Sequence, residues 1–263
     1  MKNKTWLKWT EEEIDLLKIH WKFSTMKILL SNFPNRTYNS LMLKASQLGI
    51  KSEIERKRKG SLQYLEVLDS NSCYWWGFII ADGHLSKKGE LVISLDIKDK
   101  VHLKKIATHL NRFITEREYV NSFTKNISVS CNLRIQDKVF GKKWLSILNI
   151  NSPKTYTPPD LSIFLTKEKL LPFFIGLVDG DGCIWVSKNW LNLRIELHLN
   201  WLNTLEIIAF KLKEFYNIDC KVKVTKKLTA KLEINTKKDL KILKNSLNNL
   251  DYLERKWSKL YTL

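Results

Sequence analysis

The chain is poor in cysteine, short of acids relative to bases, and without a long apolar run, and each shortage excludes something. Its four cysteines, Cys73, Cys131, Cys183 and Cys220, are scattered with no close pair. Zinc sites and disulfide frameworks need ligands or partners at set short spacings, so neither is expected, and a reducing compartment is. The longest apolar stretches, around Trp75–Ala81 and Leu170–Val178, fall short of the roughly 20 residues that a membrane helix needs. No lipidation motif, basic amphipathic N-terminus or signal peptide is visible, so no membrane partner is expected. Acids number 27 against 45 Lys plus Arg, a net charge of +18 over 263 residues. A surface of that sign attracts polyanions, which makes nucleic acid the expected partner. The length suffices for one large or two modest domains with a full core. Abundant Lys and Asn fit an AT-rich genome, and with it the cytoplasm of a phage or bacterial host, or an organelle.

One stretch organises the rest. Leu171-Pro172-Phe173-Phe174-Ile175-Gly176-Leu177-Val178-Asp179-Gly180-Asp181-Gly182 is apolar for two turns and ends in a carboxylate and a glycine. Tyr74-Trp75-Trp76-Gly77-Phe78-Ile79-Ile80-Ala81-Asp82-Gly83 repeats it. Small residues four apart, Gly77 with Ala81 and Gly176 with Gly180, share a helix face and allow two backbones to approach closely. In each copy Asp-Gly closes the helix, with Gly supplying the terminal turn. An acid at a helix C-terminus faces the negative end of the dipole. Pairing the two helices adds the repulsion of Asp82 and Asp181, so a cation between them is expected. Hard oxygen ligands without a His or Cys cluster favour Mg²⁺, with Mn²⁺ able to substitute.

The repeat extends downstream. Asp82 and Asp181 are 99 residues apart; Ile93–Ile97 matches Ile195–Leu199 at 102, and Lys154 matches Lys256 at 102. Near-constant offsets indicate two copies of one αββαββα-like unit. The fold expected is therefore α+β: two pseudo-symmetric repeats, 62–160 and 161–263, forming a saddle behind a small three-helix domain at 1–50 and a basic linker at 51–61.

These paired stretches resemble the motifs of the LAGLIDADG homing endonucleases in their single-chain, two-motif form. The resemblance implies that the penultimate acid of each motif, Asp82 and Asp181, is a metal ligand, joined by the carbonyls of Ala81 and Gly180. It implies pocket roles for Lys154, Lys256 and Asp99. At the 102-residue offset Trp201 stands opposite Asp99, a departure that predicts unequal cutting of the two strands. It also implies a monomer acting on double-stranded DNA with a long target site, leaving short 3′ overhangs.

Alternating strands supply the candidate DNA-binding surface. Glu90–Lys98 places Leu91, Ile93, Leu95 and Ile97 inward and Ser94 and Asp96 outward, with Ser86 just before it. Asn126–Gln136 places Ile127, Val129, Cys131, Leu133 and Ile135 inward and Asn132 and Arg134 outward. In the second repeat Trp185, Ser187, Arg194, His198, Lys221, Lys223 and Lys231 face out. A polar, basic sheet face of this kind can enter the major groove, where each base pair is distinct.

At the N-terminus, Thr10-Glu11-Glu12-Glu13 is a capping box. Three short helices follow, the last with Leu41, Ala45 and Leu48 inward and Asn39, Leu43 and Ser46 outward. The pattern from Trp9 to Ile50 resembles Myb/SANT-like helix-turn-helix domains. Arg36 and Lys44 are placed to contact phosphates. The run Arg56-Lys57-Arg58-Lys59 reads as a solvated linker or a track along the DNA backbone. The expected activity is site-specific double-strand DNA cleavage. The alternatives are an RNA maturase bound to intron RNA and a DNA-binding regulator on a nuclease scaffold. An intein setting is not expected, because the chain starts at Met1 without a splicing Cys or Ser and ends in Tyr261-Thr262-Leu263.

Overall fold

In a computed structural model, residues 8–24, 26–52, 62–86, 88–120, 125–150, 154–187 and 190–262 are described. The linker run 53–61 and Ser152-Pro153 lie outside these residues, as do the side chains of Asn39 and Ser187. The chain divides into two compact units, Met1–Arg58 and Lys59–Leu263.

The first unit holds α1 (Glu11–Phe23), α2 (Met26–Asn32) and α3 (Tyr38–Gln47). Thr10 and Glu13 close the capping box at α1, and Thr37 caps α3 through the Ser40 amide. Leu17, Trp21, Leu29, Phe33, Leu41 and Ala45 form the core. Leu48, expected inward, is exposed: α3 ends at Gln47, and Leu48 has left the helical face that carries Leu41 and Ala45.

The second unit runs α4 (Gln63–Glu66), α5 (Ser70–Asp82), β1 (Gly83–Leu85), β2 (Glu90–Asp96), α6 (Lys100–His109), β3 (Thr115–Val120), β4 (Ile127–Gln136) and α7 (Lys138–Ile147). It continues with α8 (Lys167–Asp181), β5 (Gly182–Ser187), β6 (Trp190–His198), α9 (Leu202–Tyr216), β7 (Lys221–Val224), β8 (Thr229–Ile234), α10 (Lys237–Asn245) and α11 (Glu254–Trp257). Two antiparallel four-stranded sheets result, ordered β1-β2-β4-β3 and β5-β6-β8-β7. Their registers correspond: Gly83 pairs with Ile93, and Gly182 with Ile195.

Alternation delivers one apolar face per sheet. Leu91, Ile93, Leu95, Cys131, Leu133 and Ile135 are buried in the first sheet, and Leu191, Leu193, Ile195, Ala230, Leu232 and Ile234 in the second. Ile127 departs from expectation at 74% exposed. At that end β4 pairs only with β3, whose six residues are all exposed, so no helix covers it. Strand β3 had no sequence signal, because Thr115–Val120 carries charge or hydroxyl on both faces.

Helices α5 and α8 form the centre. A Cβ on Gly77 would fall 1.9 Å from the Phe173 carbonyl oxygen, and one on Gly176 would fall 1.9 Å from that of Tyr74. These contacts are related by the 99-residue offset, so the two helices pack through one surface used twice. The glycines after the helices work differently from expectation. Gly83 and Gly182 have φ of −79° and −87°, extended rather than left-handed. Glycine is needed there for space: a Cβ would lie 2.8 Å from Ile79 Cα or 2.5 Å from the Val178 oxygen. Holding an acid against a helix C-terminus costs about 0.3–1 kcal/mol. Burying one large apolar side chain returns about 1.5–3 kcal/mol. With Trp75, Phe78, Phe173, Phe174 and Leu177 all buried, packing decides the pairing.

Candidate active site and nucleic-acid interface

The pairing brings the two helix ends together. A Cβ on Gly180 would meet the Ala81 methyl at 2.2 Å and the Asp82 amide nitrogen at 3.3 Å. Asp82 ends α5 and Asp181 ends α8, both open to solvent on one side. The protein packed on their inner side pushes both carboxyls above the ordinary range, and the charge of Asp82 adds to this for Asp181. Lys154 and Lys256 act in the opposite sense on both.

Sequence reasoning left a metal as the answer to the negative helix ends. The structure supplies two ammonium groups as well. Lys154 Nζ donates to the carbonyls of Ile79 (2.9 Å), Ile80 and Ala81. Lys256 Nζ donates to those of Val178 (3.1 Å), Asp179, Gly180 (3.1 Å) and Gly182 (2.8 Å). Each lysine therefore caps the C-terminus of its own repeat's central helix, as cations do. Burial lowers both lysines, Lys154 to about 8.

The donor set fits a hard divalent cation. Two carboxylates stand beside two carbonyls that already hold cations, and each carbonyl oxygen keeps a second lone pair. Among the described residues no cluster of three or more His, Cys, Asp or Glu could hold a metal. Any such ion would have to complete its shell from water and substrate oxygens.

Asp99, expected in the pocket, is buried and forms a two-pronged ion pair with Arg255 at 2.5 and 2.7 Å. Sequence spacing did not reveal Arg255, which sits beside Lys256 without a counterpart at the repeat offset. Asp179 was also unassigned, although a charge inside an apolar helix is a signal. It accepts hydrogen bonds from Tyr74 Oη (2.8 Å), the Leu253 amide (2.7 Å) and Trp257 Nε1 (2.6 Å). Burial pushes its carboxyl up to about 7 against those bonds. Beyond it, Tyr74 Oη lies 3.0 Å from His102 Nε2.

On the sheet faces, Ser94 and Asn132 stand opposite each other across β2 and β4 and are hydrogen-bonded. Asp96 is exposed and turned to the Lys98 amide, and Ser86 closes the β1–β2 turn through Glu90. Arg134 pairs with Glu90 (3.3 Å). Arg194 lies 5.1 Å over the Trp185 ring and near Glu196. His198 accepts from the Asn200 amide and meets Tyr156 edge-on. Lys223 and Lys231 both pair with Glu233, and Lys221 is exposed. Arg117 and Tyr119 on the unforeseen β3 border a polar hollow with Ser94, Asp96, Ser130 and Asn132.

In the first unit, Arg36 is turned inward rather than toward a phosphate. It donates to both carboxylate oxygens of Glu13 (2.9 and 2.6 Å) and to the Lys8 carbonyl (2.7 Å), and lies over Trp9. Lys44 approaches the same ring at 5.8 Å.

The fold is thus a pair of glycine-faced helices, each ending in an acid and each followed by an antiparallel four-stranded sheet. Residues 174–262 match the family model described as LAGLIDADG endonuclease. Among solved structures, the homing endonuclease I-WcaI bound to its DNA recognition sequence has a TM-score of 0.54 at 14% identity, covering 82% of this chain and 96% of that one. Full-length DUF199/WhiA from Thermatoga maritima gives 0.48 at 20% identity, covering 76% of this chain. The present chain spans 59% of that protein's length. I-GzeII in complex with DNA target gives 0.43 at 15% identity, covering 71% and 88%. No curated protein matches the chain. No helix among the described residues is long and apolar enough to cross a membrane.

Proposed function

We propose that the chain is a sequence-specific double-strand DNA endonuclease of the homing type, monomeric and dependent on Mg²⁺ or Mn²⁺. The observation that carries this reading is the convergence of Asp82 and Asp181 with Lys154 and Lys256 at the paired ends of α5 and α8. Asp82 and Asp181, with the Ala81 and Gly180 carbonyls, would hold the divalent ion. When bound, that ion neutralises charge at phosphorus and lowers the pKa of attacking water. Lys154 and Lys256 supply fixed positive charge where the phosphoryl group gains negative charge. Asp99 acts through Arg255, steadying the segment that carries Lys256.

The open sheet faces take the duplex, with Asn132, Arg134, Arg194, His198 and Lys221 in reach of bases or phosphates and Arg117 added from β3. Trp185 steadies Arg194 from below. The first unit adds contacts through α3 and Lys44 in the manner of a helix-turn-helix, with Arg36 holding that unit's shape.

The test uses the full chain and a randomised duplex pool. Duplexes retained by the protein are recovered and incubated with Mg²⁺. Double-strand cleavage is expected, with binding retained and cleavage lost in Asp82→Asn and Asp181→Asn. Cleavage equal to wild type in both variants overturns the assignment. Binding without cleavage by the wild type favours the regulator, and preference for structured RNA the maturase.

A further inference from the structure

We propose that Asp179 is a positioning residue that sets Lys256, and only Lys256, for its half of the reaction. This inference rests on the nuclease reading above.

Asp179 is 2% exposed at the end of α8's buried run, and its three donors come from two other parts of the fold. One is Tyr74 on α5. The other two, the Leu253 amide and the Trp257 indole, bracket Lys256 in the C-terminal segment. The carboxylate thus fastens that segment to α8 on both sides of the lysine. Lys256 in turn reaches back to the backbone carbonyl of Asp179 itself. Side chain and main chain of one residue therefore fix the segment and receive its ammonium.

The first repeat is built otherwise. Ile80 occupies the position equivalent to Asp179 at the 99-residue offset, and it is buried without any polar group. Lys154 is held instead by Trp201, whose indole donates to the carbonyls of Lys154 (3.0 Å) and Thr155 (3.2 Å). Because Ile80 fills the same place in the helix pair, packing alone does not require a carboxylate there. Burying one carries a desolvation cost that Ile80 avoids. Among the described residues the two lysine-bearing segments differ: the one with Lys256 presents donors to a carboxylate, and the one with Lys154 presents carbonyls to an indole.

The experiment compares wild type, Asp179→Asn and Lys256→Met in the full chain on a duplex that the wild type has selected from a randomised pool. Each strand is labelled separately. Asn keeps an acceptor oxygen but sets an amide N–H₂ against the remaining donors. Asp179→Asn is expected to slow nicking of one strand at least tenfold, the same strand that Lys256→Met slows, with the other strand within twofold and duplex affinity within twofold. Equal slowing of both strands, or bias toward the opposite strand, overturns the proposal, since general loosening has no reason to choose. If Asp179→Asn does not fold, Trp257→Phe, which removes a single donor, is expected to give the same bias at smaller size; its absence overturns the proposal. In ¹⁵N-labelled full chain, Asp179→Asn is also expected to move the Trp257 indole resonance and speed Leu253 amide exchange while the Trp201 indole stays in place. Unmoved Trp257 and Leu253 signals overturn the fastening itself. If the wild type cuts no selected duplex, the nuclease reading fails separately and this spectroscopic arm still decides the fastening.

Discussion

Trp201 holds Lys154 from the opposite repeat, donating its indole N–H to the Lys154 carbonyl at 3.0 Å. Asp99, its equivalent at the 102-residue offset, reaches the other way to Arg255, next to Lys256. Each repeat therefore steadies the lysine segment of the other, one by a neutral bond and one by an ion pair. The chemistry differs while the geometry is shared, so the two halves of the candidate site are mechanically linked and electrostatically unlike.

The helix interface tolerates one methyl where Ala81 meets Gly180. Gly180→Ala alone is expected to destabilise the protein by about 1–3 kcal/mol through overpacking. Adding Ala81→Gly moves the methyl to the other helix and should restore most of that loss. Urea denaturation of the two single variants and the double gives the coupling. Additive losses would show that the two positions do not share one space.

Burial holds His102 down to about 3 from an ordinary value of 6.5. Between these values the unfolded chain binds the proton and the folded chain does not, so stability present above pH 6.5 is lost as pH falls toward 3. The slope contributed is at most about 1.4 kcal/mol per pH unit. His102→Gln keeps an N–H for the Tyr74 oxygen but cannot titrate. Its stability should fall less than that of the wild type between pH 7 and pH 5 in urea titrations, and parallel losses would contradict this account.

Arg36 braces the first unit through Glu13, Lys8 and Trp9. Arg36→Ala is expected to lower that unit's stability by about 1.5–3 kcal/mol, the range for hydrogen bonds to charged groups. Hydrogen exchange of amides in α1 and α3 reports it, while amides of α5 and α8 should be unaffected. Unchanged exchange in α1 would mean that solvent replaces the bonds without loss.

The first sixty residues hold 13 Lys plus Arg against 6 acids, and the second unit closes its own core. A chain starting near Ser61 is expected to fold and cut selected duplexes. It should bind more weakly, by about 1–3 kcal/mol for each base-specific interaction that the first unit would have supplied, with a shallower salt dependence. Footprinting should shorten on one flank only; an unchanged footprint and salt slope would point to a protein-binding role for this unit.

Sequence by itself determined the repeat, the central helices and, apart from the Ile127 end of β4, the inward faces of the long strands. Those features are written as local periodicity: small residues four apart, apolar residues at every second position, and a near-constant offset of about one hundred residues. It also determined the two acids, because Asp82 and Asp181 stand at the same place in two copies of one helix. Tertiary structure alone decided which groups meet them. That Lys154 and Lys256 cap the helix carbonyls, that Arg255 is claimed by Asp99, and that Arg36 turns to Glu13 depends on segments distant in the chain, which no local spacing encodes. The role of Gly83 and Gly182 was likewise undecidable from sequence, because a glycine required for a left-handed turn and one required for space are the same letter. Asp179 shows both limits at once: its charge in an apolar run was a signal that the sequence reading left unused, and its three donors come together only when α5, α8 and the C-terminal segment pack.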